Sequence, residues 1–219
     1  MAIYCTDCGK SIPEDSMFCG FCGLKLTKTG TAQVADKTPQ KAVTLFDKFA
    51  EIHDSTGEER EKYNALISPA TWTIMNNLAN NDLEKMLSKH EEIKQETYAF
   101  VQALRLALQL SYPGGYRLYL ANRLLYKKSL STFEHEPSEE ELRKELQKID
   151  FNTEYAKIGL DARMVIDTYS NFRFNSLFES YFQSQKRMNT KALEALRGEI
   201  MGGIIWGYFF GQIEDKYRK

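Results

Sequence analysis

Cysteine is missing from everything after residue 22, and histidine occurs only three times in 219 residues, at His53, His90 and His135. The first absence leaves the body of the chain without a thiol nucleophile. The second leaves little imidazole for acid–base work, and each histidine stands alone beside a carboxylate (Asp54, Glu91, Glu136) that a helix would turn away from it. The metal motif HExxH is lacking, as are the Glu-x-x-His of di-iron bundles, a Walker-type loop, GxGxxG and GxSxG. No catalytic residue is therefore expected, and the chain reads as a non-enzyme. Charge of one sign is lacking too: 29 lysines and arginines face 30 acids, with a pI near 6.3, whereas nucleic-acid-seeking proteins carry a basic surplus. Long apolar runs are absent. The longest uncharged stretch near the end, between Glu199 and Glu214, is too short for a bilayer core of about 30 Å. Polar Thr6 and Asp7 follow Met1 closely, so a secretory route is not expected and the cytoplasm is the default compartment.

The four cysteines that do occur form two pairs, Cys5-x2-Cys8 and Cys19-x2-Cys22. Thiolates are soft ligands, and two such pairs can close a tetrahedron around one zinc ion. Confining all thiols to these pairs fits a reducing compartment, where they bind metal instead of forming disulfides. A disulfide pair and a rubredoxin-like iron cage are the competing readings of the same spacing. Gly9 and Gly23 each follow a pair directly, where a knuckle wraps backbone N–H groups around sulfur, and Pro13-Glu14-Asp15 offers a reversal between the halves.

With Phe18 ahead of the second pair, residues 1–26 resemble the short zinc-ribbon family, whose pattern is CxxCG, a proline turn, an aromatic and a second CxxCG. The resemblance implies a small β-hairpin ribbon holding one structural Zn2+ through Cys5, Cys8, Cys19 and Cys22, with no ligand position left for water or substrate. So small a unit cannot bury enough surface to fold unaided, and metal binding of roughly 10–16 kcal/mol supplies the difference. Members of the family contact nucleic acids or proteins, or brace a neighbouring domain. In residues 1–28 Lys10, Lys25 and Lys28 balance Asp7, Glu14 and Asp15. Phosphate neutralisation needs a surplus, so a protein partner met through Tyr4 and Phe21 is the better expectation. The plainer alternative is that both rings cover the metal cage.

Residues 27–38 have hardly any bulky apolar side chain and read as a flexible linker. Residues 39–219 read as an all-α helical bundle, making the whole chain mainly α. At 42% apolar and 27% charged the composition is that of a globular protein. Helices are expected near 39–53, 58–67, 69–79, 82–111, 116–130, 139–149, 153–186 and 190–217. Thr38-Pro39, Ser68-Pro69, Asn81–Glu84 and Ser138–Glu141 serve as start signals, and Pro113-Gly114-Gly115 as a stop. Leu83, Met86, His90, Ile93, Thr97, Phe100, Leu104 and Ala107 make a seam at three- and four-residue steps, expected to face helix 153–186 in an antiparallel bundle.

Two further stretches carry functional alternatives. Helix 116–130 interleaves Arg117, Arg123, Lys127 and Lys128 with Tyr116, Tyr119 and Tyr126, which could track phosphates and stack bases. The plainer reading is an amphipathic helix with Leu118, Ala121, Leu124 and Leu125 inward and its charges outward. Gly203, Gly207 and Gly211 recur at i+4 inside 198–213, and each glycine costs a helix roughly 1 kcal/mol. Close approach of another helix is the expected return. Self-association, a membrane contact through 198–213, or a strand are the alternatives.

Overall fold

In the computed structural model of the chain, residues 2–4, 11–13, 43–126, 133–179 and 190–218 are described. The chain divides into two compact units, residues 1–42 and 43–219. In the first, β1 (Ala2–Tyr4) pairs antiparallel with β2 (Ser11–Pro13), with Ala2 opposite Pro13, Ile3 opposite Ile12 and Tyr4 opposite Ser11. The two strands thus flank the first cysteine pair, and Pro13 is the last residue of β2; the rest of the expected reversal, Glu14 and Asp15, lies outside the described residues.

The second unit is helical: α1 (Leu45–His53), α2 (Gly57–Asn64), α3 (Pro69–Lys89), α4 (Glu91–Lys94), α5 (Tyr98–Leu125), α6 (Glu139–Gln147), α7 (Phe151–Lys157), α8 (Leu160–Glu179) and α9 (Thr190–Glu214), with a 3-10 turn over Asp215–Tyr217. Several starts follow from local chemistry. Ser68 caps α3 by accepting from the Thr71 N–H at 3.1 Å, with Pro69 at the first helical position. Ser138 and Glu141 close a reciprocal capping box on α6. The expected start at Thr38-Pro39 lies outside the described residues; α1 is capped by Thr44, which shares a capping box with Asp47.

α5 is the axis of the unit, about 42 Å long at 1.5 Å per residue. It packs chiefly on α9, with α1, α3 and α8 around it. Every residue from Ser111 to Ala121 is buried, so this half of the helix meets protein on all sides. Pro113-Gly114-Gly115 is not a stop: it lies in the middle of α5. An interior proline costs a helix roughly 3 kcal/mol and each glycine about 1. The return is proximity. A methyl group on Gly115 would intrude on the Ile204 carbonyl of α9, one on Gly207 would intrude on the Tyr112 carbonyl of α5, and one on Gly114 would enter the Tyr169 ring of α8. Gly203 and Gly211 meet Tyr112 and Tyr119 in the same crossing. The glycine stripe is therefore helical and faces a helix of its own chain, which disposes of the strand alternative.

Other boundaries also move. Asn81–Glu84 starts nothing; it lies within α3, where Asp82 accepts from the Tyr112 hydroxyl at 2.6 Å. The continuous helix expected over 82–111 is broken at His90 and again at Thr97, which caps α5. Its apolar seam nevertheless survives the breaks: Leu83, Met86, Ile93, Phe100, Leu104 and Ala107 are all buried. Its α5 part packs chiefly on α9 and its α3 part on α5, more than on the 153–186 segment, which itself divides into α7 and α8 at Gly159.

Candidate functional site

Two polar groupings stand out in the helical unit. The first surrounds Glu214, fully buried at the end of α9. One carboxylate oxygen accepts from the Ser68 N–H at 3.2 Å and from the Thr71 hydroxyl. The other accepts from the Tyr116 hydroxyl and lies 3.7 Å from the Arg218 guanidinium. Arg218 donates in turn to the Tyr116 oxygen at 3.0 Å and to the Leu66 carbonyl, and its guanidinium stacks 4.0 Å over the Phe133 ring. A carboxylate at the N-terminus of α3 also meets the positive end of that helix. Burial and the Glu214 charge hold the Tyr116 hydroxyl far above its ordinary range. Charge and donors are matched here, and the chemistry is that of a structural knot joining α3, α5, α9 and the C-terminal turn.

The second grouping draws one cation or imidazole from each of four helices. His53 closes α1, stacked on Phe49 with ring centres 5.2 Å apart and edge-on to Tyr169 of α8 at 4.9 Å. Arg173, one turn beyond Tyr169, donates to the Tyr169 hydroxyl at 2.8 Å and to His53 Nε2 at 3.0 Å. Arginine can only donate, so Nε2 is the acceptor and the imidazole proton sits on Nδ1. Nδ1 is buried and has no hydrogen-bond partner among the described residues. Arg117 follows Gly114 by one turn on α5, on the face that meets Tyr169. It is 9% exposed and donates to Asn64 Oδ1 of α2 at 2.9 Å. Arg60, one turn before Asn64, donates to the Ser55 carbonyl at 2.8 Å. Burial first, then the charges of Arg173 and Arg117, press the His53 imidazole down to about 4. Burial also lowers Arg117; the field of Tyr169 opposes this and those of Arg60 and Arg173 add to it.

In the N-terminal unit the four cysteines lie outside the described residues. What is described is compatible with a metal knuckle. The register sets Tyr4 opposite Ser11, so the six residues between them, Cys5 to Lys10, join two strand ends that face each other. The donor set is four sulfurs in two CxxC pairs with no histidine inside either, which suits zinc. Among the described residues no group of three or more His, Cys, Asp or Glu side chains could hold a metal.

Residues 4–26 match the zinc-ribbon domain family. Zinc binding by this segment follows from that family. No curated protein and no solved structure matches the chain.

Outside the zinc ribbon, the residues singled out in the sequence scatter. Arg117 is buried and Arg123 forms an ion pair with Asp215 at the end of α9, so these charges do not point outward as the amphipathic reading of 116–130 requires. Leu118 and Ala121 do turn inward. Lys127 and Lys128 lie outside the described residues. His90 marks the α3–α4 break, and His135 stands 3.4 Å from Glu141 on the surface. Among the described residues no helix is long and apolar enough to cross a membrane. A groove of about 540 Å³ opens between the start of α1, the end of α5 and α8, lined by Val43, Phe46, Tyr126, Asp161, Met164 and neighbours. The convergence of His53, Arg60, Arg117 and Arg173 has no sequence motif, because four separate segments contribute one residue each. The one local signal is the i, i+3 spacing of Gly114 and Arg117.

Proposed function

We propose that the chain is a non-enzymatic zinc-binding protein whose ribbon is a tethered protein-interaction module carried by a helical domain. Cys5, Cys8, Cys19 and Cys22 are the ligands of a single structural ion in this reading. The zinc-ribbon match over residues 4–26 carries it. Four thiolates fill a tetrahedral ion, which leaves the metal without an open position for substrate. The balanced charge of residues 1–28 favours a protein surface over a phosphate backbone as the partner, and Arg117 and Arg123, which a nucleic-acid role would draw on, are turned into the fold.

The test combines elemental analysis with affinity capture, the captured proteins being identified by mass spectrometry. The intact chain is expected to hold one zinc per molecule. The Cys5→Ser, Cys8→Ser double variant should lose the metal and the specific partner while its helical melting transition stays in place. Substoichiometric zinc in the intact chain, or the same captured set from both proteins, would overturn the reading.

A further inference from the structure

The helical unit treats its buried cations in two ways. Arg218 and Arg123, with 1% and 11% of their side chains exposed, each face a carboxylate, Glu214 and Asp215. Arg117 is buried as well, yet it donates to the neutral amide of Asn64, and no carboxylate lies within 4 Å of it among the described residues. Arg173 and Arg60 likewise bond only neutral atoms: the Tyr169 hydroxyl and His53 Nε2 for one, the Ser55 carbonyl for the other. A guanidinium removed from water without a counter-charge is costly, as for Arg117, and the fields of Arg60 and Arg173 add to that cost. Asp54, exposed at the end of α1, is the carboxylate whose field reaches His53 and Tyr169, and it forms no ion pair with the three arginines. The cluster also carries a buried donor without an acceptor, the Nδ1–H of His53.

Positive charge in excess and fork-shaped donors with hydrogens to spare ask for the same thing: an acceptor-only group bearing negative charge. We propose that His53, Arg60, Arg117 and Arg173 form a binding site for a phosphate-class oxyanion, either free phosphate or a small phosphomonoester. Arg60 is exposed and His53 and Arg173 are half-buried, so part of the cluster is open to solvent. A tetrahedral dianion has enough oxygens to meet three guanidiniums at once, which a monovalent halide has not. The site lies wholly in the helical unit and does not depend on the zinc reading.

The experiment is calorimetric titration of the full zinc-loaded chain with inorganic phosphate, and separately with glycerol phosphate, at fixed ionic strength with chloride as the control. The His53 ring proton is followed by NMR in the same samples. One binding event is expected, with the His53 midpoint rising above about 4 as the anion is added. Arg60→Gln, at an exposed position, and Arg117→Gln should each weaken binding at least tenfold, and Arg143→Gln on α6 should not. Tighter binding of the ester would assign the site to an esterified ligand, and equal binding to free phosphate. No heat and no movement of His53 at 10-fold excess over millimolar protein would overturn the proposal, as would undiminished binding in Arg60→Gln.

Discussion

Burial and two neighbouring guanidiniums keep the His53 imidazole uncharged down to about pH 4, whereas an unfolded chain protonates it near 6.5. Above 6.5 neither state binds the proton, and the stability conferred by a neutral His53 is fully present. Between 6.5 and about 4 the unfolded state takes up a proton that the folded state refuses, so stability falls as the pH falls through this window. Allowing for partial exposure, the loss is on the order of 2 kcal/mol. Urea unfolding at pH 7 and pH 4.5 should show it, and His53→Gln should flatten the dependence. An unchanged slope in that variant would place the acid sensitivity elsewhere. Glu214 presents the opposite case. Its charge is buried deeper but is answered by the Ser68, Thr71 and Tyr116 donors and by Arg218, so it locks the fold without leaving a charge over.

Among the elements, the crossing of α5 and α9 decides most. Gly115 and Gly207 each let the opposite backbone touch, so a methyl group at Gly207 must push the two helices apart. Gly207→Ala should cost about 2–3 kcal/mol despite alanine's better helix propensity. Gly198→Ala, on an exposed face of the same helix with nothing within 4 Å of the new carbon, should gain about 0.5–1 kcal/mol. Thermal melts of the pair test this directly, and a stabilising Gly207→Ala would refute the tight crossing. The same elements show what a sequence displays and what it hides. Ser68-Pro69 and the Ser138–Glu141 box act within three residues, and both start helices where the local pattern places them. The apolar seam from Leu83 to Ala107 is legible because burial selects residue type even where the backbone breaks at His90. Pro113-Gly114-Gly115 misleads because its local cost is repaid by α8 and α9, segments distant in the chain. The cysteine pairs needed no such context, since their chemistry is complete within one short segment. The basic cluster is the reverse, four residues without a shared pattern.

For the whole molecule, the division at residue 42 separates a unit that carries the zinc-ribbon match from another built on a packed helical core. Residues 43–219 expressed alone should then unfold cooperatively at the melting temperature that the helical unit shows in the intact chain, with and without a strong chelator. Differential scanning calorimetry of both proteins checks this, and a truncated protein that is molten or melts far lower would show the units to be one. Only the intact chain should lose a zinc-dependent signal on chelation.

The pairing of α5 with α9 also sets an order of events during synthesis. α5 leaves the ribosome well before the helix that covers its glycine face, and it cannot hold its proline-interrupted middle in water unaided. Until α9 has been translated, the aromatic-rich stretch from Tyr112 to Leu120 lacks its main cover. The nascent chain would therefore be a client for holding chaperones over that interval, while the short cysteine-bearing segment, already outside, could take up its metal.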